Sequence, residues 1–312
     1  MTTRFVWLLT ALTLALPAQV RFRRASDRIQ VEIGGKPYTN FFLSADGNKP
    51  YLYPLSTASG VVVTRHFPME EFLGETHDHP HQRGLFFSHG EISGTNFWAT
   101  ERVTDVAHQG RMELKKILEL KDGDKSGTIR AIFTGMDDHG KPLMTETRTI
   151  TFRVEPALRI IDYEIDVEAI EKLVFADTKE GTFGIRLATS MTEDKGPGRM
   201  VNAEGGVGEK QVWGKRSPWV DYSGPVGEKT VGVAIFDNPA NPHHPTYWHS
   251  RAYGLFAANP FGARDFTGDK SQDGSMTVEP GKTVTFRYRV VIHEGDAKSA
   301  GIAGMWREYS KE

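Results

Sequence analysis

The sequence contains no cysteine, so neither disulfide bonds nor cysteine-ligated zinc contributes to this protein. It also has no large excess of one charge, because 38 basic and 40 acidic residues give a formal net charge of −2. No basic stripe stands out along the chain, which argues against nucleic acid as a partner. The longest apolar run, residues 5–16, is shorter than the roughly 20 residues of a membrane-spanning helix. We therefore expect no membrane partner either.

The N-terminus nevertheless has the features of an exported protein. Arg4 precedes the apolar run, and Pro17 and Ala18 follow it. A basic residue, a short apolar stretch and small residues near a cleavage site are typical of a secretory signal peptide. The pattern predicts a signal peptide over residues 1–18, a single domain over residues 19–312, and a periplasmic or secreted location.

Alternation of apolar and polar residues is the strongest local pattern in the domain. Ile161, Tyr163 and Ile165, for example, alternate with acidic residues, as a strand with one buried and one wet face requires. The same argument predicts strands over residues 29–33, 60–66, 112–120, 128–134, 145–154, 161–167, 184–190, 231–236, 253–258 and 284–292. Residues 296–309 predict a C-terminal helix with Asp296 as its N-cap. Without βαβ alternation, the fold class expected is mainly β: a large antiparallel β-sandwich with a short C-terminal helix.

The densest group of chemically active side chains is a histidine-rich segment. His77, His79 and His81 lie within five residues in a chain of eleven histidines, and Arg83 follows them. In an extended segment the three histidines would share one face. Histidines on one face bind a metal or transfer protons near neutral pH, and an arginine suits a carboxylate or several hydroxyl oxygens.

Three further groups supply polar and aromatic side chains at a distance from this segment. A carboxylate at the mouth of a strand is a candidate general base, and rings with scattered polar groups suit the faces and hydroxyls of a sugar. The first group contains His89 and Trp98; the second contains Glu180, Arg186, Asn202, Glu204, Trp213 and Asp221; the third contains Trp248, His249 and Arg251. No nucleophilic-serine elbow, dinucleotide fingerprint or HExxH zinc helix is present in the sequence.

Several long motifs occur in an order that resembles a known family. They are His79-Pro80-His81-Gln82-Arg83-Gly84-Leu85-Phe86, Phe97-Trp98, Phe183-Gly184-Ile185-Arg186, Trp213-Gly214, Asp221-Tyr222-Ser223-Gly224, and Tyr253-Gly254-Leu255-Phe256-Ala257-Ala258-Asn259-Pro260-Phe261-Gly262. They resemble an exported bacterial family labelled "methane oxygenase PmoA", whose function is not established. That family is similar in fold to the galactose-mutarotase-like β-sandwiches, which bind sugars on the concave face of a large sheet. The resemblance implies a galactose-mutarotase-like supersandwich and a carbohydrate partner.

The leading hypothesis is a carbohydrate-active enzyme that works by proton transfer between histidine and carboxylate, as an epimerase, lyase or hydrolase, without a cofactor. Its predicted catalytic residues are His79, His81, Glu180 and Glu204. Its predicted substrate-binding residues are Arg83, His89, Trp98, Arg186, Asn202, Trp213, Asp221, Trp248, His249 and Arg251. One alternative is a metal-dependent enzyme in which His79, His81 and either His89 or His249 bind a divalent ion. The other is a non-catalytic carbohydrate-binding module.

Overall fold

The computed structural model describes residues 19–43, 48–99 and 107–312, so the predicted signal peptide lies outside the described residues. The strands within them, numbered β1 to β18 in chain order, are Val20–Arg24, Arg28–Ile33, Lys36–Phe42, Tyr51–Tyr53, Leu85–His89, Arg111–Lys121, Ser126–Met136, Pro142–Val154, Arg159–Ala169, Leu173–Phe175, Gly181–Arg186, Arg199–Asn202, Trp219–Val226, Lys229–Asp237, Tyr247–Ser250, Leu255–Asn259, Met276–Val278 and Thr283–Glu294. The helices α1 to α3 are Glu209–Val212, Ala263–Thr267 and Ile302–Tyr309, and a 3-10 turn spans Thr189–Met191.

Two antiparallel sheets of eight strands each make up the body of the molecule. The first sheet has the strand order β1-β2-β3-β4-β5-β11-β16-β15. The second has the order β12-β13-β14-β18-β9-β8-β7-β6, while β10 and β17 form a small separate pair. This architecture, with the short helix α3 at the C-terminus, confirms the predicted fold class: mainly β, a large antiparallel β-sandwich.

The core lies between the two sheets and follows the predicted alternation. On β9, Ile161, Tyr163 and Ile165 are at most 1% exposed and belong to this core. Asp162 and Glu164 lie on the opposite face, where Asp162 pairs with arginines of neighbouring strands. Sequestering every second side chain against the other sheet removes apolar surface from water, and this is what keeps the two layers together.

Two predicted strands differ from the structure in extent. Residues 60–66 form only isolated bridges, because the segment begins with Gly60 in a turn (φ 89°) and has no neighbour along its full length. The strand predicted over residues 184–190 corresponds to β11, which begins earlier, at Gly181, and ends at Arg186. The chain then turns into the 3-10 segment, since Leu187 and Ala188 bond to separate partners rather than to one ladder.

The C-terminal helix begins later than predicted. Asp296 accepts a hydrogen bond from the backbone of Ser299, but it does so in a separate turn. Gly301, with a φ of 71°, then stands immediately before α3. The left-handed backbone at this position interrupts any continuous helix from Asp296, so the prediction of residues 296–309 is correct only from Ile302 onward.

The outer face of the first sheet is covered in its middle. All six residues of β11 and all five residues each of β5 and β16 are buried, although only one face of these strands meets the second sheet. Side chains from the segments that follow β4 and β5 account for the cover. No helix among the described residues is long and apolar enough to cross a membrane.

Candidate functional site

A row of four residues crosses the outer face of the first sheet. Phe86 on β5 is opposite Gly184 on β11, Gly184 is opposite Ala257 on β16, and Ala257 is opposite His249 on β15. Because glycine and alanine occupy the middle of the row, they leave a trough that aromatic rings fill: a Cβ at Gly184 would lie 3.3 Å from the ring of Phe86. The residues next to these four along each strand point to the opposite face of the sheet and belong to the core, as the period of two requires.

Trp98 lies above this trough. Its ring contacts Phe86 at a centroid distance of 5.2 Å and stacks toward His249 at 6.5 Å, and only 1% of Trp98 is exposed. Its indole is 6.3 Å from the ring of His81. The ammonium group of Lys49 donates to the backbone oxygen of Trp98 at 2.5 Å and lies over the ring of Phe86. These contacts bring His81 and His249 to the same tryptophan.

Asp78 holds the second part of the site together. Its Oδ1 atom accepts hydrogen bonds from Arg65 Nη1 at 2.7 Å and from Arg186 Nη2 at 2.8 Å. Its Oδ2 atom is 2.5 Å from Nδ1 of His79. Arg65 and Arg186 are almost completely buried, and Arg186 also donates to Gln82. The hydrogen bonds from His79 and Arg186 outweigh burial and lower the pKa of Asp78 well below its ordinary value.

Contacts on two sides of the His79 ring fix its orientation. Its Nδ1–H donates to Asp78, which leaves Nε2 as the nitrogen that can exchange a proton. Its ring stacks almost parallel on Tyr253 at 5.0 Å and meets the ring of His81 edge-on at 5.8 Å. Arg186 lies 4.7 Å from the centroid of the same tyrosine ring. Because 41% of the His79 side chain is exposed, a solute can reach it.

The extended conformation assumed for residues 77–81 is wrong. His79 has a φ of 45°, and the amide of Gln82 donates to the carbonyl of His79 across a turn. The reversal turns Asp78 toward His79, whereas an extended chain would point the two side chains apart. It also separates His77, whose ring stacks on Phe67 at 4.5 Å.

Burial keeps two histidines of the site neutral. Desolvation, followed by the charge of Lys49, lowers the pKa of His81 to about 3. Desolvation lowers the pKa of His249 to about 4, although the charge of Glu180 acts in the opposite direction. The Nδ1 atoms of His81 and His249 and the indole Nε1 of Trp98 are buried without a hydrogen-bond partner among the described residues. A buried polar atom without a partner is unfavourable, so these three nitrogens are candidate ligand contacts.

Glu180 stands immediately before β11, on the His249 side of the site. Its carboxylate pairs with Lys179 at 3.2 Å and is 38% exposed. Its charge acts to raise the pKa of His249, against the effect of burial. It is thus a partly hydrated carboxylate beside Gly90, which follows the end of β5.

The structure places several predicted residues away from this site. Asn202, the last residue of β12, is buried and accepts a hydrogen bond from the amide of Gly206, and Glu204 is exposed in the turn between them. Asp221 is fully buried on the second sheet and bonds to His293 at 2.6 Å. The structure therefore does not bring Asn202, Glu204 and Asp221 to the site that contains His79 and His81.

Two further predicted residues point into the core rather than toward the outer face. His89 bonds through Nε2 to the backbone oxygen of Ala176 at 2.8 Å and touches the ring of Phe261. Trp248 is 0% exposed and donates its indole N–H to the backbone oxygen of Ser217. Alternation along β5 and β15 explains both, since the side chains next to them in sequence face outward.

Three predicted residues border the site without belonging to its centre. Arg251 pairs with Glu209 at 2.8 Å and lies over the rings of Trp213 and Tyr253. Trp213 lines a neighbouring depression. Arg83 lies over the ring of Tyr51 and faces a separate cleft.

The site also contains residues to which the sequence analysis gave no role: Lys49, Arg65, Asp78, Gln82 and Tyr253. Gln82 and Tyr253 stand inside quoted motifs, so the motifs pointed to them without indicating a role. Lys49 and Arg65 lie outside every motif and group that the sequence indicated as functional. Among residues 19–43, 48–99 and 107–312, no group of three or more His, Asp or Glu side chains is arranged to hold a metal ion.

Solved structures with similar folds include proteins named for sugar chemistry. A GH36 α-galactosidase from Geobacillus stearothermophilus is 12% identical, with a TM-score of 0.40 over 89% of this chain and 40% of that one. A galactose mutarotase-like protein from Clostridium acetobutylicum is 10% identical, with a TM-score of 0.45 over 89% of this chain and 99% of that one. A heparan sulfate lyase from Pedobacter heparinus is 10% identical, with a TM-score of 0.38 over 91% and 36% of the two chains. This chain thus spans less than half the length of the α-galactosidase and the lyase.

No curated protein sequence matches the chain. The methane-oxygenase label remains a resemblance drawn from the sequence motifs. Residues 28–307 match the family described as "Family of unknown function (DUF6807)", and the chain belongs to that family.

Proposed function

We propose that this protein is an exported carbohydrate-active enzyme in which His79 transfers a proton to or from a sugar oxygen or an adjacent carbon. The observation that carries the proposal is the contact between Asp78 Oδ2 and His79 Nδ1 at 2.5 Å. A carboxylate on one ring nitrogen fixes the tautomer, so that the other nitrogen acts as base and its protonated form as acid. The carboxylate also stabilises the imidazolium that forms.

His79, rather than His81, is the proton carrier in this proposal. The low pKa of His81 means that its protonated form is scarce near neutral pH, so it is a poor general acid there. As a neutral imidazole it is suited instead to a hydrogen bond with a substrate hydroxyl. His249 and Trp98 offer the same kind of contact on the other side of the trough.

Glu180 is the proposed second carboxylate, because it is the predicted catalytic acid whose charge acts on His249. Glu204 has no role in the proposed reaction, since it is exposed in the turn after β12. The pairing of one histidine with one carboxylate across a sugar ring suits an epimerase, a lyase or a hydrolase.

A panel of saccharides tests the proposal. Purified protein would be incubated with neutral and uronate-containing oligosaccharides, and products would be followed by NMR for epimers and by reducing-end formation for cleavage. The proposal is supported if one saccharide is converted by the wild type and by His139→Ala but not by His79→Ala. His139 serves as the control because it is 83% exposed in a hairpin turn. A saccharide that binds but is never converted would identify a non-catalytic binding module instead.

Export is tested separately. Fractionation of a native host should find a chain shortened by about 15–20 residues in the periplasm or the medium. Full-length protein retained in the inner membrane would contradict this part of the proposal.

A further inference from the structure

A cleft of about 670 Å³ adjoins the histidine site on the same side of the first sheet. Its walls include residues from β2, β3 and β4, from residues 67–70, and from the histidine-rich segment itself. The lining residues include Arg28, Phe42, Tyr51, Glu70, Pro80 and Arg83. Its size falls in the range of small-molecule binding pockets, roughly 300–1,000 Å³.

The floor of the cleft is a fixed stack of rings and guanidinium groups. Phe42 and Tyr51 stack at a centroid distance of 4.8 Å with 13° between their planes. Arg28 lies 5.3 Å from the centroid of Phe42, and Arg83 lies 5.9 Å from that of Tyr51. Stacking on aromatic rings restricts the arginine side chains, so their hydrogen-bonding forks are held in place before a ligand arrives.

The charges in the cleft are of both signs. Asp27 is 3.4 Å from Arg28. Burial raises the pKa of the Tyr53 hydroxyl, and the charge of Glu70 raises it further. The cleft thus contains two arginines and two carboxylates. Guanidinium and carboxylate groups each bind neighbouring hydroxyls in pairs, and a balanced set favours a neutral polyhydroxylated ligand over an ion.

The cleft lies beside the segment that carries the proposed catalytic histidine. Pro80 lines the cleft and is bonded to both His79 and His81, so each of these histidines is one residue away along the chain. Tyr51 is the strand partner of Phe86, and the ring of Phe86 contacts Trp98. Tyr51 of the cleft is therefore linked through Phe86 to Trp98, whose ring lies 6.3 Å from that of His81.

We infer that the cleft is a second saccharide subsite and that the substrate is an oligosaccharide or glycan chain rather than a monosaccharide. One sugar unit occupies the cleft while its neighbour in the chain reaches His79. This inference rests on the proposed function, because it takes the chemistry at His79 to be carbohydrate chemistry.

Binding as a function of chain length tests the inference without requiring turnover. Calorimetry would measure the affinity for chains of one to four sugar units. The neutral series are β-1,4-linked glucose, mannose and N-acetylglucosamine, and the charged series is α-1,4-linked galacturonate. At least one neutral series should bind about tenfold or more tightly as the chain grows beyond the monomer. Glu70→Gln and Arg83→Met should remove most of that gain without changing the affinity for the monomer. Arg130→Met, on the exposed face of the second sheet, is the matched control and should keep the gain.

The possible outcomes separate this inference from the proposed function. Monomers that bind as tightly as tetramers, or a gain that survives both cleft variants, would overturn the second subsite and leave the chemistry at His79 standing. A gain confined to the galacturonate series would also overturn it, because the cleft is argued to take a neutral unit. Absence of binding in all four series would overturn the proposed function and this inference together. Because Glu70 is exposed, its variant is expected to fold even where Arg83→Met does not.

Discussion

Asp78 and His79, consecutive in sequence, face each other across 2.5 Å between Oδ2 and Nδ1, and Arg65 and Arg186 bind the same carboxylate. The carboxylate therefore both orients the imidazole and compensates two buried guanidinium groups. A substitution at Asp78 removes both effects at once. Catalysis and stability are consequently expected to change together at this residue, but by separable amounts.

The first prediction concerns Asp78→Asn. It should lower turnover of the converted saccharide by about 10²–10⁴-fold, because the amide no longer stabilises protonated His79. It should also lower the free energy of unfolding by about 3–5 kcal/mol, since Arg65 and Arg186 lose their shared anion. Turnover and urea denaturation measure the two effects. In His79→Gln the turnover should fall similarly while the stability changes by far less; equal losses of stability in both variants would contradict the division of roles.

The fold was more accessible from the sequence than the site, for a physical reason. A strand with one face in the core repeats its apolar residues every second position, so Ile161, Tyr163 and Ile165 could be placed from local sequence alone. The start of α3 could not be read in this way. Asp296 makes a genuine side-chain cap, but it caps a turn that Gly301 then ends.

The site was predictable only where its residues are dense in sequence. The cluster of His79 and His81 was found, but the direction of each side chain depended on a backbone angle, φ at His79, that no composition pattern reveals. Tyr253 reaches His79 because β5, β11 and β16 are neighbours in the first sheet. Such contacts between distant segments depend on strand order, which alternation does not specify.

The second prediction concerns acid stability. The pKa of His81 is lowered to about 3, and those of His89 and His249 to about 4, in each case first by burial. Below the unfolded-state pKa of about 6.5, the unfolded chain binds protons that the folded chain does not, so stability must fall as pH falls. Each histidine contributes a slope of up to about 1.4 kcal/mol per pH unit between the two pKa values.

Urea denaturation between about pH 6 and pH 4.5 measures this slope. His249→Gln should reduce it by roughly the share of one histidine. His139→Gln, at an exposed position, should leave it unchanged. A slope that is the same in wild type and His249→Gln would mean that His249 is not held neutral by burial.

The third prediction concerns a buried ion pair between the sheets. Arg148 on β8 bonds to Glu146 through Nε and donates to the backbone oxygens of Pro50 and Phe87, each at 3.1 Å. Arg148 is 0% exposed and Glu146 is 2% exposed. Arg148→Met should lower the free energy of unfolding by about 3–5 kcal/mol, because Glu146 keeps a buried charge without its partner.

A double-variant cycle checks the cause of this loss. Adding Glu146→Gln to Arg148→Met should recover part of the stability, since the uncompensated carboxylate is then removed. Urea denaturation of the wild type, both single variants and the double variant gives the coupling energy. If the two single effects simply add, the pair does not interact as its geometry indicates.

The last prediction separates proton transfer at His79 from metal catalysis. Asp78 already compensates Arg65 and Arg186, so its carboxylate is a poor ligand for a divalent cation, and His79 could bind one only through Nε2. The same positive charges, with that of Lys49, help to lower the pKa of His81, and they would oppose a metal ion beside it. Chelators should therefore leave the rate unchanged, and the rate should follow a bell-shaped pH profile. Elemental analysis of protein purified without a histidine tag provides the independent measurement. Near-stoichiometric zinc, iron or copper that disappears in His79→Ala, together with activity restored by adding the ion back, would establish the metal-dependent alternative, because the ion would then supply the Lewis acid.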